Sequence, residues 1–314
     1  KVFYFSDHSV RGGLDPGFGV PVSWDIDLLS GYEHVFLSRS ADLSAPRSVR
    51  IPDARTLLAQ ERPDWVLCCG YMHGFERQLA LSSRGAGARL LLRAEFSDSS
   101  YVRRSPWKAR ARDLVLRAFY ARVNRFCYPG RAAFAHLLRL GVPESRCFFS
   151  PYSVDDSLIA RARSETSRAA ARSGLGLPDD CFCLLFSGKL IARKAPLLLL
   201  AALERVEARQ RLALIVLGDG EQRAEVETRA RALLGERLVL PGFVNQSQLG
   251  RYFCAADALV MPSVQETWGL VVNEAMHYGL PVLVSDGVGC HPDLVQDGVT
   301  GYVHRVGDAT ALAQ

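Results

Sequence analysis

The sequence is short of lysine and of long apolar runs, and its cysteines lack the spacing of a metal site. Only four of its 38 basic residues are lysines, so the position of each lysine carries information. The eight cysteines have neither C-x-x-C spacing nor a histidine cluster beside them, which favours buried reduced thiols over a zinc site. No uncharged apolar run reaches about 18 residues, which argues against a transmembrane helix. We therefore expect a cytoplasmic protein.

Two signatures of other nucleotide-binding proteins are also missing. The glycine-containing stretch at 12–19 does not fit G-x-G-x-x-G because Pro16 and Phe18 intervene, which argues against a nicotinamide or flavin site. The basic stretch at 103–125 lacks a recognisable nucleic-acid-binding module. An oxidoreductase and a nucleic-acid partner are therefore disfavoured.

Short apolar segments alternate with helical patterns along the whole chain, which is typical of parallel α/β sheets. Predicted strands are Val2–Phe5, His34–Leu37, Trp65–Cys69, Arg89–Arg93, Arg125–Tyr128, Cys147–Ser150, Cys181–Ser187, Ala213–Leu217, Leu238–Leu240, Ala258–Met261 and Pro281–Ser285. Predicted helices include Ala54–Glu61, Phe75–Arg84, Arg131–Leu140, Pro196–Glu207, Gln222–Leu234, Ser247–Ala255 (capped by Ser247) and Leu270–Tyr278.

The length of 314 residues suggests about two domains. Around residues 150–180 the composition shifts to proline, glycine, serine and charge, as expected of a linker and a surface helix. We predict two Rossmann-like parallel-sheet domains, 1–152 and 153–314, facing a central cleft that binds ligands at the carboxyl ends of the strands. A helical pattern begins at the last residues, so we expect the second domain to continue beyond residue 314.

Two of the four lysines follow one predicted strand. Lys189 and Lys194 lie between the strand end at Gly188 and a helix that starts near Pro196. A cationic patch at a strand-to-helix turn suits an anion, and the helix start adds to it. Two solvated surface lysines are the alternative. The next strand ends in Gly218-Asp219-Gly220, small residues that let a ligand approach the backbone.

Two glutamates interrupt an apolar stretch, where carboxylates are costly unless they are paired. Glu266 follows a predicted strand, and Glu274 lies on the second turn of the helix that begins after Gly269. The free amides at that helix start suit a phosphate, and a carboxylate is a good acceptor for sugar hydroxyls. With the lysines these features predict a nucleotide-sugar site. Each glutamate taken alone is equally consistent with a paired or exposed charge.

In this spacing the stretch resembles the E-x7-E signature of retaining glycosyltransferases of the GT-B fold, most closely glycosyltransferase family 4. The resemblance covers nearly all of 181–303 and includes, in order, SGKLIARKAP, LGDG, LPGFV, NEAMHYGLPVLVSD and DLVQDGVTGYV. Residues 140–155 resemble the family's entry into its second domain. Two departures are Lys189, where the family often has arginine, and Ala195, where glycine commonly follows the second lysine.

The resemblance implies a role for each matched residue. Lys189 and Lys194 would hold the diphosphate of the donor, Glu266 the transferred sugar, and Glu274 the ribose. The turn at 242–244 would face the base. The implied catalytic residues are Lys189, Lys194, Glu266 and His73, and the implied donor-binding residues are Gly188, Asp219, Gly220, Phe243, Val244, Thr267, Trp268, Gly269, Leu270, Val271 and Glu274.

Charged residues of the first half suggest an acceptor site. Asp25 lies in a glycine-containing stretch, and Arg93 and Glu95 follow a predicted strand. An internal ion pair is an equal interpretation of Arg93 and Glu95. His73 follows another strand, near the place of a family histidine that contacts the donor sugar, and the alternative is a capping or structural role.

The basic stretch 103–125 predicts a helix that starts at Ser105 and Pro106. Its apolar residues Trp107, Leu114, Val115 and Phe119 fall roughly on one face. A core helix with a solvated arginine face is the favoured interpretation. Peripheral contact with anionic lipid at the inner face of the membrane is the alternative, and it would suit a lipid-linked acceptor.

Together these features predict a retaining glycosyltransferase that moves a sugar from a nucleotide-diphosphate sugar, most often UDP-linked, to a glycan, lipid-linked or small-molecule hydroxyl. We expect no cofactor and no metal, because lysines supply the charge and no Asp-x-Asp follows a predicted strand. The alternatives are a nucleotide-sugar epimerase or hydrolase on the same fold, and a non-catalytic nucleotide-sugar-binding protein.

Overall fold

A computed structural model describes residues 1–15, 17–38, 50–51, 53–98 and 105–314. The strands are β1 (Val2–Ser6), β2 (Gly13–Asp15), β3 (Val20–Val22), β4 (His34–Ser38), β5 (Trp65–Cys68), β6 (Arg89–Arg93), β7 (Arg125–Tyr128), β8 (Cys147–Phe149), β9 (Phe182–Ser187), β10 (Leu212–Leu217), β11 (Leu238–Gly242), β12 (Ala258–Met261), β13 (Val282–Ser285) and β14 (Gly301–His304). The α-helices are α1 (His8–Arg11), α2 (Ala54–Glu61), α3 (Gly74–Ser83), α4 (Pro106–Tyr120), α5 (Arg131–Arg139), α6 (Asp156–Glu165), α7 (Arg168–Gly174), α8 (Pro196–Leu203), α9 (Arg223–Leu234), α10 (Gln246–Ala255), α11 (Leu270–His277), α12 (His291–Leu294) and α13 (Ala309–Ala313).

Every predicted strand is present, with ends within two residues of those expected. The strands that the sequence patterns missed are β2, β3 and β14, each of three or four residues. Helix α8 ends at Leu203 rather than Glu207. The mixed α/β class with parallel sheets is therefore confirmed.

The chain divides into two units, each with its own internal contacts. One unit contains Lys1–His8 and Leu29–Tyr152, and the other contains Ser9–Leu28 and Ser153–Gln314. Segment Ser9–Leu28 therefore groups with the second unit, whereas the sequence patterns placed all of 1–152 together. The cleft between domains and the acceptor role of the first domain stay predictions.

The first unit holds parallel strands in two sheets. Strands β5, β6, β7 and β8 form a four-stranded sheet in sequence order, and β1 pairs with β4. Its core includes Leu92, Phe126 and Leu137, none of them measurably exposed. The predicted site residues of the first unit lie at or after the carboxyl ends of β5 and β6.

Helix α4 does not pack as its apolar pattern suggested. It buries Leu116 and Tyr120, whereas Trp107, Leu114 and Val115 are 66%, 70% and 68% exposed. The favoured interpretation, a core helix with a solvated arginine face, is therefore wrong for these three residues. The residues at 116 and 120, one turn apart, supply the packing stripe instead. Residues 103–104 of the basic stretch lie outside the described part of the chain.

The second unit is built on one six-stranded parallel sheet with the order β11-β10-β9-β12-β13-β14. Strands β10 and β12 are almost wholly buried, which explains why they read as unbroken apolar runs. The chain begins at the centre with β9, builds outward through β10 and β11, and then returns to the other side with β12. The strand order therefore reverses between β9 and β12, where doubly wound folds open a crevice at the carboxyl ends.

A buried arginine ties the start of this sheet to its surrounding helices. Arg172 on α7 is 1% exposed. Its guanidinium donates to the carbonyl oxygens of Cys181 (2.8 Å) and Ala255 (3.0 Å) and to the Asp257 carboxylate (2.5 Å). Asp257 also accepts from the Cys183 amide at 2.7 Å. This satisfied network fixes where β9 begins.

Among the described residues, no helix combines the length and apolarity needed to cross a membrane.

Candidate functional site

The crevice between β9 and β12 brings together the predicted lysines and the first glutamate. Lys194 follows β9 and Glu266 follows β12, and the lysine Nζ donates directly to Glu266 Oε2. The backbone of Glu266 is fixed on both sides, by its own amide to Gly287 O and by its carbonyl to the Gly289 amide, both at 2.9 Å. Residues separated by 72 positions in sequence therefore meet at the reversal of strand order.

The pairing of Lys194 with Glu266 is largely shielded from solvent. The two side chains are 14% and 15% exposed, and Arg193 Nη1 approaches the same Glu266 oxygen at 3.9 Å. Burial, together with the cations Arg193 and Lys189, lowers the pKa of Lys194 to about 8. The Glu266 carboxylate in contact opposes that shift. The crevice thus holds a cation and an acceptor carboxylate. A ligand that replaces one of them in the pair frees the other for a new contact.

The departure at Ala195 has a structural counterpart. Ala195 adopts φ 51° and ψ 46°, the left-handed conformation, between the single turn Ala192–Lys194 and α8. Glycine takes this conformation without steric cost, whereas a residue with a Cβ pays roughly 1 kcal/mol. The strained turn aims Lys194 back toward β12.

Lys189 is held by the N-terminal segment of the same unit. Its Nζ lies 2.6 Å from Asp15 Oδ1 and 4.8 Å from the centroid of the Phe18 ring. Neither contact was predicted from the sequence, since Asp15 lies 174 positions away. The predicted diphosphate lysine is therefore already paired with a carboxylate.

The Gly-Asp-Gly stretch after β10 has a packing role. A Cβ at Gly218 would overlap the carbonyl oxygen of Gly188, and one at Gly220 would lie 2.6 Å from Leu190 O. The Asp219 carboxylate accepts from Arg223 Nη1 at 2.6 Å and from the Gly220 amide at 2.9 Å. Glycine is thus required here for backbone-to-backbone packing, and the ligand contacts of Asp219 and Gly220 stay predictions.

The start of α11 lies one loop after β12. Gly269 precedes the helix with φ 100°, and a Cβ there would lie 3.1 Å from Val288 and 3.2 Å from Met261 Sδ. The first amides of a helix lack intrahelical acceptors, so Leu270 and Val271 present donors to whatever lies before them. Trp268 is buried, and its indole N–H donates to Asn273 Oδ1 at 2.8 Å. Trp268 therefore anchors the loop from within.

The loop side chain between the glutamate and the tryptophan is exposed. Thr267 donates its amide to Glu266 Oε1 at 3.2 Å. Thr267 and Leu270 are both exposed. Their donor contacts stay predictions.

In contrast to Glu266, Glu274 has no cation beside it within the described part of the chain. Its carboxylate accepts no hydrogen bond from any side chain or amide in the described ranges. It lines a small cavity with Gln246, Phe253 and Tyr278. Burial raises the pKa of Glu274 to about 7. The Glu274 carboxyl is therefore a buried hydrogen-bond acceptor that a ligand hydroxyl could satisfy.

The predicted base-facing turn carries aromatic neighbours from the N-terminal segment. Phe243 meets the rings of Phe18 (centroids 5.1 Å apart) and Trp24 (6.3 Å), both edge to face. Val244, the next residue, is half-buried. The turn thus presents an aromatic surface, and Phe18 and Trp24 cover part of it.

At the start of α10 the predicted cap is wrong, and one predicted acceptor residue contacts this helix. The N-cap is Asn245, whose side chain accepts from the Gln246 amide, so Ser247 is not the cap. Ser247 instead donates its amide to Asp25 Oδ1 at 3.3 Å, and its hydroxyl bonds Asp25 Oδ2. Asp25 therefore supports the start of α10 in the second unit. Its acceptor role stays a prediction.

The remaining predicted residues form local networks in the first unit. His73 precedes α3, and its amide and ring Nδ1 lie 2.9 Å and 3.2 Å from Glu76 Oε2. Arg93 donates to Glu95 Oε1 at 2.8 Å and stacks over Tyr152 at 4.6 Å. The internal ion pair expected as the alternative for Arg93 and Glu95 is thus present. Their acceptor contacts, and the sugar contact of His73, stay predictions.

The raised pKa of Glu274 makes a prediction about stability. Burial raises the pKa of this carboxyl from 4.5 to about 7, so the folded state holds more protons between these values and loses stability as pH rises through them. Glu274→Gln should therefore raise the free energy of unfolding by on the order of 2 kcal/mol at about pH 8, and by much less at about pH 5. Denaturant titrations at both pH values measure it. The exposed control Glu207→Gln should show no such difference, and a destabilised Glu274→Gln at about pH 8 would contradict the burial account.

Comparison with known proteins places the chain in a family. The model of the "Glycosyl transferase 4-like domain" matches residues 13–152, and that of "Glycosyl transferases group 1" matches residues 167–314. Curated relatives include the D-inositol 3-phosphate glycosyltransferases of Streptomyces scabiei, 39% identical over 167 residues (50% of this chain and 37% of that protein), and of Xylanimonas cellulosilytica, 34% identical over 185 residues (56% and 44%). The match thus spans less than half the length of either relative.

Solved structures share the fold. WaaG, a glycosyltransferase involved in lipopolysaccharide biosynthesis, superposes with a TM-score of 0.68 at 19% identity, over 99% of this chain and 88% of WaaG. Sucrose-phosphate synthase from Thermosynechococcus elongatus gives 0.64 at 24% identity (82% and 65%), and Anabaena HepE in complex with UDP and glucose gives 0.60 at 18% (90% and 74%). The fold is therefore GT-B. The two family models together account for most of the sequence, and the chain belongs to the group 1 glycosyltransferases.

Proposed function

We propose that the chain is a retaining glycosyltransferase that transfers a sugar from a nucleotide-diphosphate sugar, with UDP as the nucleotide, to a hydroxyl of a glycan, lipid-linked sugar or small molecule. The observation that carries the proposal is the shielded pair of Lys194 and Glu266 beside the start of α11. A cation, an acceptor carboxylate and free helix amides in one crevice match the parts of such a donor. Family membership and the UDP bound to HepE support it.

The donor binds by exchanging partners within the crevice. A diphosphate near the start of α11 gives Lys194 a stronger anionic partner, since phosphate carries more charge than a carboxylate. Glu266 is then released and accepts hydrogen bonds from the hydroxyls of the transferred sugar. Glu274 supplies the acceptor for the ribose hydroxyls, and Phe243 and Val244 face the base.

The chemistry follows from where charge develops. The bond from the sugar C1 to the diphosphate breaks, and negative charge grows on the departing phosphate oxygen. In this proposal Lys189, Lys194 and the amides of Leu270 and Val271 stabilise that charge most as it grows. The acceptor oxygen bonds to C1 on the same face, and its proton passes to the departing phosphate. No metal takes part in this proposal, because the lysines carry the required charge.

Removal of the Lys194 charge tests the donor site. Lys194→Gln keeps a hydrogen-bond donor for Glu266 but loses the cation, so sugar transfer should fall by about 100-fold or more. Mass spectrometry of products from a panel of nucleotide sugars and acceptors measures transfer. The matched control is Lys1→Gln, which removes a lysine that pairs with Glu33 and Glu61 in the first unit and should leave transfer unchanged.

Near-native transfer by a folded Lys194→Gln protein would exclude the donor-site assignment. The same assay, read by proton NMR at the new glycosidic bond, tests retention, and an inverted product would contradict it. Epimer or free sugar formed without any acceptor would favour the epimerase or hydrolase alternative. Donor binding with no turnover across the panel would favour a non-catalytic protein.

We also propose that α4 rests on an anionic membrane surface. The exposed apolar residues Trp107, Leu114 and Val115 lie within about one third of the helix circumference, at 100° per residue. Lys108 and Arg110 flank this face on either side. An apolar face bordered by cations is the pattern of helices that lie in the lipid interface. Such contact would bring the enzyme to a lipid-linked acceptor.

Vesicle co-sedimentation tests this surface. The protein should sediment with phosphatidylcholine vesicles that contain phosphatidylglycerol, because the flanking cations need anionic headgroups. With vesicles that lack phosphatidylglycerol it should stay in the supernatant. Leu114→Asp should abolish binding, whereas Leu81→Asp, at a 60% exposed leucine of α3, should not. Binding by Leu114→Asp, or concentration-dependent dimerisation lost only in that variant, would show that α4 has another partner.

A further inference from the structure

A short hairpin of the N-terminal segment binds one of its own carboxylates through backbone amides. Strands β2 and β3 pair antiparallel, with Gly13 opposite Val22 and Asp15 opposite Val20. In the turn, the amides of Gly17 and Phe18 donate to Asp15 Oδ1 at 2.7 Å and 3.0 Å. The turn therefore orients the carboxylate whether or not a cation is present.

Lys189 completes the surroundings of this carboxylate. Its Nζ donates to the same Oδ1 at 2.6 Å, and a Cβ on Gly17 would lie only 2.6 Å from Lys189 Cδ. The lysine stem can lie against the turn because residue 17 is glycine. Burial acts to raise the pKa of Asp15, but Lys189 and the two amides together lower it. Asp15 is therefore ionised at neutral pH.

Further contacts hold the hairpin against the rest of the second unit. Phe18 lies over Lys189 and edge-on to Phe243. Just after the hairpin, Asn245 Nδ2 donates to the carbonyl oxygen of Ser23 at 2.5 Å. The segment thus touches both the lysine proposed for the diphosphate and the aromatic residue proposed for the base.

We propose that this hairpin is an element of the donor site, in which Asp15 occupies the place of a donor phosphate on Lys189 and gives up the ammonium when a donor binds. The inference rests on the proposed function, since it assigns Lys189 to the diphosphate. A carboxylate held beside a diphosphate is repelled by it, so the two anions compete for one cation. The paired side chains are 30% and 32% exposed, and ion pairs so accessible to water are weak enough to exchange. Asp15 therefore lowers donor affinity without contacting the sugar.

Calorimetric titration with UDP tests the competition. Asp15→Asn keeps an oxygen acceptor for the Gly17 and Phe18 amides but removes the charge, so UDP should bind about five-fold more tightly, the effect of one weak ion pair. Added salt should shrink the difference. The control Asp180→Asn removes the same charge from an exposed loop and should bind UDP like the parent protein.

Two results of that titration overturn the proposal. Weaker UDP binding by Asp15→Asn would show that Asp15 positions Lys189 for the donor instead of competing with it. Equal binding by the Asp15→Asn variant and the parent would show that the ion pair does not oppose the donor.

A measurement without nucleotide separates this inference from the proposed function. Acetylation of Lys189 by an amine reagent, followed by mass spectrometry, should be faster in Asp15→Asn than in the parent or in Asp180→Asn, because the ion pair withholds the amine. An unchanged rate would overturn the pairing in solution. If the rate is faster in Asp15→Asn but the protein binds none of UDP, GDP and ADP, the ion pair is confirmed and the donor site is refuted. The proposed competition with the donor is then refuted as well.

Discussion

The reversal of strand order between β9 and β12 is the constraint on which the candidate site depends. It brings the turn after β9, with Lys189 and Lys194, against the loop after β12, with Glu266. Helix α11 begins from the same loop, so its free amides face the same space. Parallel strands buried on both faces leave little freedom in where these ends lie, and the site inherits that rigidity.

The charges of the crevice satisfy one another in a consistent way. Lys194 pairs with Glu266, Lys189 with Asp15, and Asp219 with Arg223. A site for a charged ligand that folds without it needs such internal partners, because an unpaired buried charge is costly. Ligand binding is then an exchange of partners, and its affinity is the difference between two sets of contacts. Glu274 stands apart, since its charge is opposed by burial alone and its pKa rises as a result.

Much of the sheet and of the crevice could be predicted because both depend on local pattern. Strands β9, β10 and β12 are unbroken apolar runs, and the small or charged residues at their ends mark the edge where ligands bind. Side-chain pairing could not be predicted in the same way. The contact between Asp15 and Lys189 joins distant positions, and the Ser247 amide at the start of α10 donates to Asp25, far away in sequence. Apolar periodicity on α4 was visible, but periodicity does not say which face is buried, and Trp107 and Leu114 point outward.

The proposed donor site requires that Lys189 and Lys194 hold the diphosphate of a nucleotide sugar. Native mass spectrometry can measure this with a panel of UDP-, GDP- and ADP-sugars, on the parent protein and on the double variant Lys189→Gln, Lys194→Gln. We expect a bound mass for at least one nucleotide sugar on the parent protein and none on the double variant. Equal binding by both proteins, or no binding of any nucleotide sugar by the parent, would contradict it.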